Sequence, residues 1–178
     1  AFVEALRLEG VKNICGIVGS AFMDPLDLFP EAGIRFIQVR HEQSAALMAE
    51  GFARATGTPG VCIGQNGPGI TNLVTGVASA FLNHTPLVVI TPSVLSSAIG
   101  TGAFQELDQM RMLAPVVKWQ LQVNRPDRMS EVIRGAFRAA ISLRGPVQVD
   151  IPRDSYYGVW EEMEQSPQMY RIDGRYGG

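Results

Sequence analysis

Short apolar runs alternate with helical patterns six times along this chain, and most of the runs have no polar face. The runs are residues 13–18 (NICGIV), 35–39 (RFIQV), 61–65 (VCIGQ), 87–91 (LVVIT), 119–123 (WQLQV) and 147–151 (VQVDI). A strand exposed on one face alternates apolar with polar residues, whereas a strand covered on both faces does not. The pattern therefore predicts an α/β fold: a doubly wound, mostly parallel six-stranded sheet with helices on both faces. Between the runs, Phe2, Val3 and Leu6 recur at helical spacing and Gly10 ends that helix. Asp24-Pro25 opens a helical turn through Phe29, and residues 44–55 and 70–82 read as helices. The second of these is rich in small residues (Gly76, Ala78, Ser79, Ala80), which let a neighbouring backbone come close. Asn124 reads as the N-cap of a last helix that runs to Leu143.

The 178 residues, 46% of them hydrophobic and 18% charged, suffice for one domain with a full core and exclude a disordered chain. The net charge of −2, without a basic run, argues against sequence-independent nucleic-acid binding. No apolar stretch approaches the roughly 18–20 residues that cross a bilayer. Cys15 and Cys62 sit inside apolar runs and lack metal or redox spacing, so they read as buried reduced thiols of a cytoplasmic protein. The chain opens on Ala1 within a helical pattern, and residues 153–178 are polar and Gly-rich. The expectation is a domain over residues 1–152, then a linker or disordered tail towards a further domain.

In a doubly wound sheet, ligands bind beyond the carboxyl ends of the strands. The informative positions are therefore Gly19-Ser20, His41-Glu42, residues 66–72 and Thr91-Pro92. For Glu42 the plain reading is an acid at a helix N-terminus, favoured by the helix dipole. The functional alternative is a carboxyl in a dry pocket that handles a proton. The turn Gln65-Asn66-Gly67-Pro68-Gly69 resembles a phosphate loop only weakly, because neither GxGxxG nor GxxxxGK[ST] is present. Its glycines equally let a ring or a backbone approach. His84, one of two histidines, has no acidic cluster beside it in sequence, so no metal site is expected there.

His41-Glu42 with SAALMAEGFARATG, then GQNGPGITNLVTGVASAFLNHTPLVVIT, then GTGAFQELDQ, resembles the pyrimidine-binding (PYR) domain of thiamine-diphosphate enzymes. Order and spacing match the acetolactate synthase and pyruvate oxidase branch, from Ala1 to about Pro152. Within that branch GIVGSAFMDPLDLFP, NHTP and GAFQELDQM are most similar to the sulfoacetaldehyde acetyltransferases. Acetolactate synthases usually carry Pro-Gly-Gly-Ala where Val18-Gly19-Ser20-Ala21 stands, and Asp-Ser where Asn83-His84 stands. The resemblance implies thiamine diphosphate as cofactor and Glu42 as the catalytic carboxyl. That group would bond N1′ of the aminopyrimidine and favour the imino tautomer, which takes the proton from the thiazolium C2. Gly67, Pro68 and Asn72 would pack near the pyrimidine, and Gln105 would also meet the cofactor. Gly19, Ser20, His84 and Phe104 would lie on the substrate side.

The family holds the diphosphate through Mg²⁺ with a GDG segment and a later Asn, and no GDG occurs in these residues. The metal and diphosphate site is thus expected on another domain, met across a homodimer or tetramer. The expected whole is an acyltransferase that converts sulfoacetaldehyde and phosphate to acetyl phosphate and sulfite. The alternatives are an acetolactate synthase-like enzyme, a 2-keto acid decarboxylase with separately encoded subunits of the sulfopyruvate decarboxylase kind, or a non-catalytic dimerising homologue.

Overall fold

The computed structural model describes residues 1–157. Six strands form one sheet: β1 (Asn13–Gly16), β2 (Arg35–Gln38), β3 (Gly60–Ile63), β4 (Leu87–Ser93), β5 (Trp119–Gln122) and β6 (Pro146–Pro152). Every paired neighbour is parallel, in the order β2-β1-β3-β4-β6-β5. The helices are α1 (Phe2–Leu8), α2 (Met23–Leu26), α3 (Glu42–Thr56), α4 (Pro68–Leu82), α5 (Gln109–Leu113) and α6 (Met129–Leu143). No helix among the described residues is long and apolar enough to cross a membrane.

The unbroken apolar runs are explained by two cores, one on each face of the sheet. Successive strand side chains point to opposite faces. Val88 and Ile90 of β4 enter a core with Phe2, Leu6, Ile133 and Phe137 of α1 and α6. Leu87 and Val89 enter the other, with Ala45, Ala49, Ile70, Leu73 and Val77 of α3 and α4. The first core is built from large side chains. The second relies on close approach: a Cβ added to Gly76 of α4 would lie 2.5 Å from the Cβ of Ala46 on α3. Cys15 and Cys62 face each other in register on β1 and β3, buried and unbonded, and burial pushes both thiols up.

Element boundaries differ from the pattern where polar residues take part. β4 does not end with its apolar run but continues through Pro92 and Ser93, paired with Ile151 and Pro152 of β6. The side chains of Thr91 and Ser93 both donate to Asp150 of β6, so polar pairing extends the ladder. Asn124 is not a helix cap. Pro126 opens a 3₁₀ turn after Arg125, and α6 begins only after Arg128. Packing also runs past Pro152: Arg153–Tyr156 forms a 3₁₀ turn, and the Tyr156 ring meets Phe2 edge-on at 5.2 Å. Residues 158–178, the rest of the expected linker, lie outside the described residues.

Sheet order reverses twice, and each reversal leaves a crevice at the carboxyl ends of the strands. From β1 the chain moves outward to β2, then returns to β3 on the other side of β1. From β4 it passes to the edge strand β5, then returns to β6 between them. The first crevice lies between β1 and β3, the second between β4 and β6.

Candidate functional site

At the first crevice, α3 starts two residues earlier than its apolar pattern, so Glu42 is its first residue. His41 is the cap, with Nδ1 accepting the Gln43 backbone N–H at 3.2 Å. The cap thus serves the helix donors, and the Glu42 side chain is left for something else. That side chain is only 7% exposed and turns towards α4, where Asn72 Nδ2 donates to its Oε2 at 3.0 Å. Its Oε1 faces Gly69, at 3.1 Å from the position a Cβ would take there. Glycine at 69 therefore leaves the second oxygen uncovered on that side.

The turn after β3 is built for such an approach. Gly67 has φ 69°, the left-handed region that glycine adopts without strain, and Pro68 takes the first position of α4. A Cβ on Gly67 would meet the Gln105 carbonyl oxygen at 2.3 Å, so the Gln105 loop closes directly over the turn. Gln105 is itself left-handed (φ 61°), a conformation costing a non-glycine residue about 1 kcal/mol. Two hydrogen bonds hold it there: Asn66 Nδ2 donates to its carbonyl at 3.2 Å, and Gln65 Nε2 to its Oε1 at 3.1 Å. Phe104 beside it is 86% exposed, a large ring presented to whatever lies beyond this domain.

Gln65 ties the crevice together. Its Oε1 accepts the Ala21 N–H at 3.2 Å, and its Nε2 also reaches Ser20 Oγ at 3.2 Å. A Cβ on Gly19 would collide with that same amide. Glu42, Gly67, Asn72, Gln105, Gly19 and Ser20 are thus joined through direct contacts around one crevice.

His84 is not among them. It follows α4, whose 15 residues span about 22 Å, and precedes β4 at the amino-terminal edge of the sheet. The resemblance implied a place on the substrate side for His84, which lies within NHTP, but the length of α4 carries it to the opposite end of the fold.

Two polar residues at the site, Gln109 and Asp150, had no role in the sequence reading, and Gln65 and Asn66 entered it only as part of the turn after β3. Asp150 left a signal, an acid within an otherwise apolar buried strand. It is 1% exposed, and its carboxylate accepts from Thr91, Ser93, Gln109 and Gln122 across the second crevice. Four donors match the lone-pair capacity of a carboxylate. A cavity of about 350 Å³ opens here, lined by Asn66, Ser93, Gln105, Gln109, Gln122 and Asp150 among others. A groove of about 380 Å³ lies elsewhere, between α1, β5 and α6, and none of the strand-end residues lines it. The chemistry argues for the first. Among the described residues, no group of three or more His, Cys, Asp or Glu side chains could hold a metal ion.

Residues 1–112 match the family described as thiamine pyrophosphate enzyme, N-terminal TPP binding domain. The chain is 49% identical to a sulfoacetaldehyde acetyltransferase of Alcaligenes xylosoxydans xylosoxydans over 179 residues, covering all of this chain and 29% of that protein. It is 51% identical to the Castellaniella defragrans sulfoacetaldehyde acetyltransferase over 158 residues, covering 89% of this chain and 26% of that protein. It is 40% identical to a probable acetolactate synthase large subunit of Methanocaldococcus jannaschii, covering 97% of this chain and 29% of that protein. The chain therefore spans under a third of the length of these relatives.

Proposed function

Because the chain belongs to the thiamine pyrophosphate enzymes through their N-terminal TPP-binding domain, we propose that it forms the pyrimidine side of a thiamine diphosphate site in a larger sulfoacetaldehyde acetyltransferase. The observation that carries this reading is the Asn72–Glu42 hydrogen bond on a carboxyl that is 7% exposed at a strand-end crevice. Thiamine diphosphate, when bound, supplies a thiazolium carbon that becomes nucleophilic once its proton is removed. The residues of this chain fit the other end of that cofactor. Glu42 would hold a proton towards N1′ of the aminopyrimidine, with Asn72 keeping its Oε2 in place while Oε1 lies beside Gly69. Burial favours proton exchange with a ring nitrogen over exchange with water. Gly67 and Pro68 would pack near the pyrimidine, and Gln105, held by Gln65 and Asn66, would meet the cofactor. Phe104, Gly19 and Ser20 border the space left for an aldehyde or keto acid.

The Mg²⁺ and the diphosphate belong to a further domain, contributed by a second subunit of a homodimer or tetramer. The full reaction is sulfoacetaldehyde plus phosphate to acetyl phosphate plus sulfite. It is tested with the full-length enzyme, thiamine diphosphate, Mg²⁺, phosphate and sulfoacetaldehyde, by following sulfite and acetyl phosphate together. Formation of both in equal amounts supports the reading. Acetolactate from pyruvate, with no sulfite released, would instead assign the substrate choice of the acetolactate synthase relative.

A further inference from the structure

Gln109 lies 42 residues from Gly67 in sequence, yet its side-chain Oε1 accepts the Gly67 backbone N–H at 3.3 Å. It is 3% exposed, on the first residue of α5. The other end of the amide faces three acceptors: the Thr91 carbonyl at 3.2 Å, the Pro92 carbonyl at 2.8 Å and Asp150 Oδ1 at 2.6 Å. None of the three can donate, so the NH₂ group must point at them and the oxygen must point at Gly67. Asp150 is itself saturated by Thr91, Ser93 and Gln122, so neither partner can turn without breaking several bonds.

From this geometry we infer that Gln109 is a positioning residue: it transmits the rigid β4–β6 crevice to the glycine turn at the β1–β3 crevice. The turn needs an outside anchor. Gly67 is the cap residue of α4 and has no side chain to fix it, and Pro68 has no N–H to contribute. With Gly67 held, the first turns of α4 stay in place along the helix axis. Gly69 then stays against Glu42 Oε1, and Asn72 stays within bonding distance of Oε2. Asp150 acts one step further back, by fixing which way the Gln109 amide faces.

The consequence for the cofactor rests on the function proposed above, whereas the bond to Gly67 does not, and the experiment separates the two. In the full-length enzyme, Gln109→Met removes the amide at nearly constant volume, and Gln109→Glu keeps the shape but confronts Asp150 with a second acceptor. Backbone amide exchange of residues 64–72 is read without cofactor, thiamine diphosphate affinity by calorimetry with Mg²⁺, and the thermal midpoint alongside. Both variants are expected to speed exchange at Gly67 and to weaken cofactor affinity, each by about tenfold, the worth of one buried hydrogen bond. A lowered thermal midpoint with wild-type exchange and wild-type affinity overturns the inference, because Gln109 then only fills the core. If neither variant folds, the wild-type protein decides alone: a Gly67 amide exchanging as fast as a solvent-exposed one overturns it. Wild-type protein that protects Gly67 but binds no thiamine diphosphate overturns the proposed function and leaves the anchoring role supported.

Discussion

Glu42 and Glu50 lie eight residues apart on α3, about 12 Å along its axis. Both are buried, at 7% and 4% exposure, and each accepts a hydrogen bond from an asparagine, Asn72 on α4 or its C-cap Asn83. Asn72 meets Glu42 at 3.0 Å, and Asn83 meets Glu50 at 2.8 Å. The residue types and the contact are the same, and only the position along the sheet differs. Glu42 stands at the carboxyl ends of the strands, beside Gly69, which has no Cβ to cover its Oε1. Glu50 stands near the amino-terminal edge, where α4 ends and the chain turns into β4. A buried Glu–Asn pair is therefore not in itself a catalytic signature. On the function proposed above, the position at the strand ends and the missing Cβ distinguish the Glu42 pair from the Glu50 pair.

The sharpest way to break this comparison is the same substitution at both positions in the full-length enzyme. Glu42→Gln keeps the shape and a hydrogen bond to Asn72 but cannot hold the proton. Turnover is expected to fall roughly 10²–10⁴-fold, with the denaturant midpoint nearly unchanged. Glu42 acting only as a helix N-terminal acid would give the opposite: turnover kept, and about 0.3–1 kcal/mol of stability lost.

Between the two pairs sits Gly76, where α4 packs directly against the backbone of α3. Gly76→Ala places a methyl 2.5 Å from the Ala46 Cβ and 3.1 Å from the Leu47 nitrogen. Forcing the helices apart is expected to cost about 1–3 kcal/mol by chemical denaturation. The large-residue core on the other face offers the contrast. Gly135 on α6 has nothing within 4 Å of an added Cβ, so Gly135→Ala is expected to stabilise by about 0.4–1 kcal/mol. Equal effects at both positions would mean that close approach does not define the α3–α4 face.

Glu50→Gln is expected to leave turnover unchanged and to lower stability by about 0.5–1.5 kcal/mol, since a buried NH₂ group replaces an acceptor. A drop in turnover at constant stability would show that the amino-terminal pair also reaches the site.

The smallest effect is expected at an exposed carboxylate. Glu106 accepts the backbone N–H groups of Gly100, Gly102 and Ala103, and these bonds, led by Gly100, hold its carboxyl below the usual value of 4.5. Because the folded value is the lower one, the ordering it gives to the 100–106 loop is present above pH 4.5 and is lost as pH falls through the folded value. Protection of that loop, taken relative to the intrinsic exchange rate at each pH, should fall as pH drops below 4.5, and Glu106→Gln should remove the pH dependence.

What could be read directly from the residues was whatever local chemistry specifies. Unbroken apolar runs require burial on both faces, which determined the parallel sheet and its two helical layers. The turn at residues 66–69 was likewise local, and so was the reading of Glu42 as an acid at a helix start, whereas the pattern began α4 at Ile70 and the structure begins it at Pro68. Contacts between distant segments were not readable, because no periodicity encodes them. Asn124 satisfied the composition of a cap, but Pro126 started a 3₁₀ turn first. His84 lay within a suggestive motif, and a helix of about 22 Å took it to the other end of the fold. The amides of Gln65 and Gln109 were ordinary polar residues until strand order brought β1 beside β3 and β4 beside β6. Only there do buried donors and acceptors have to find one another, since an unpaired polar group away from water costs more than the bond itself contributes. That requirement acts through space and not along the chain, so only the tertiary structure paired Glu42 with Asn72 beside Gly69 and brought the Gln109 amide to the Gly67 turn.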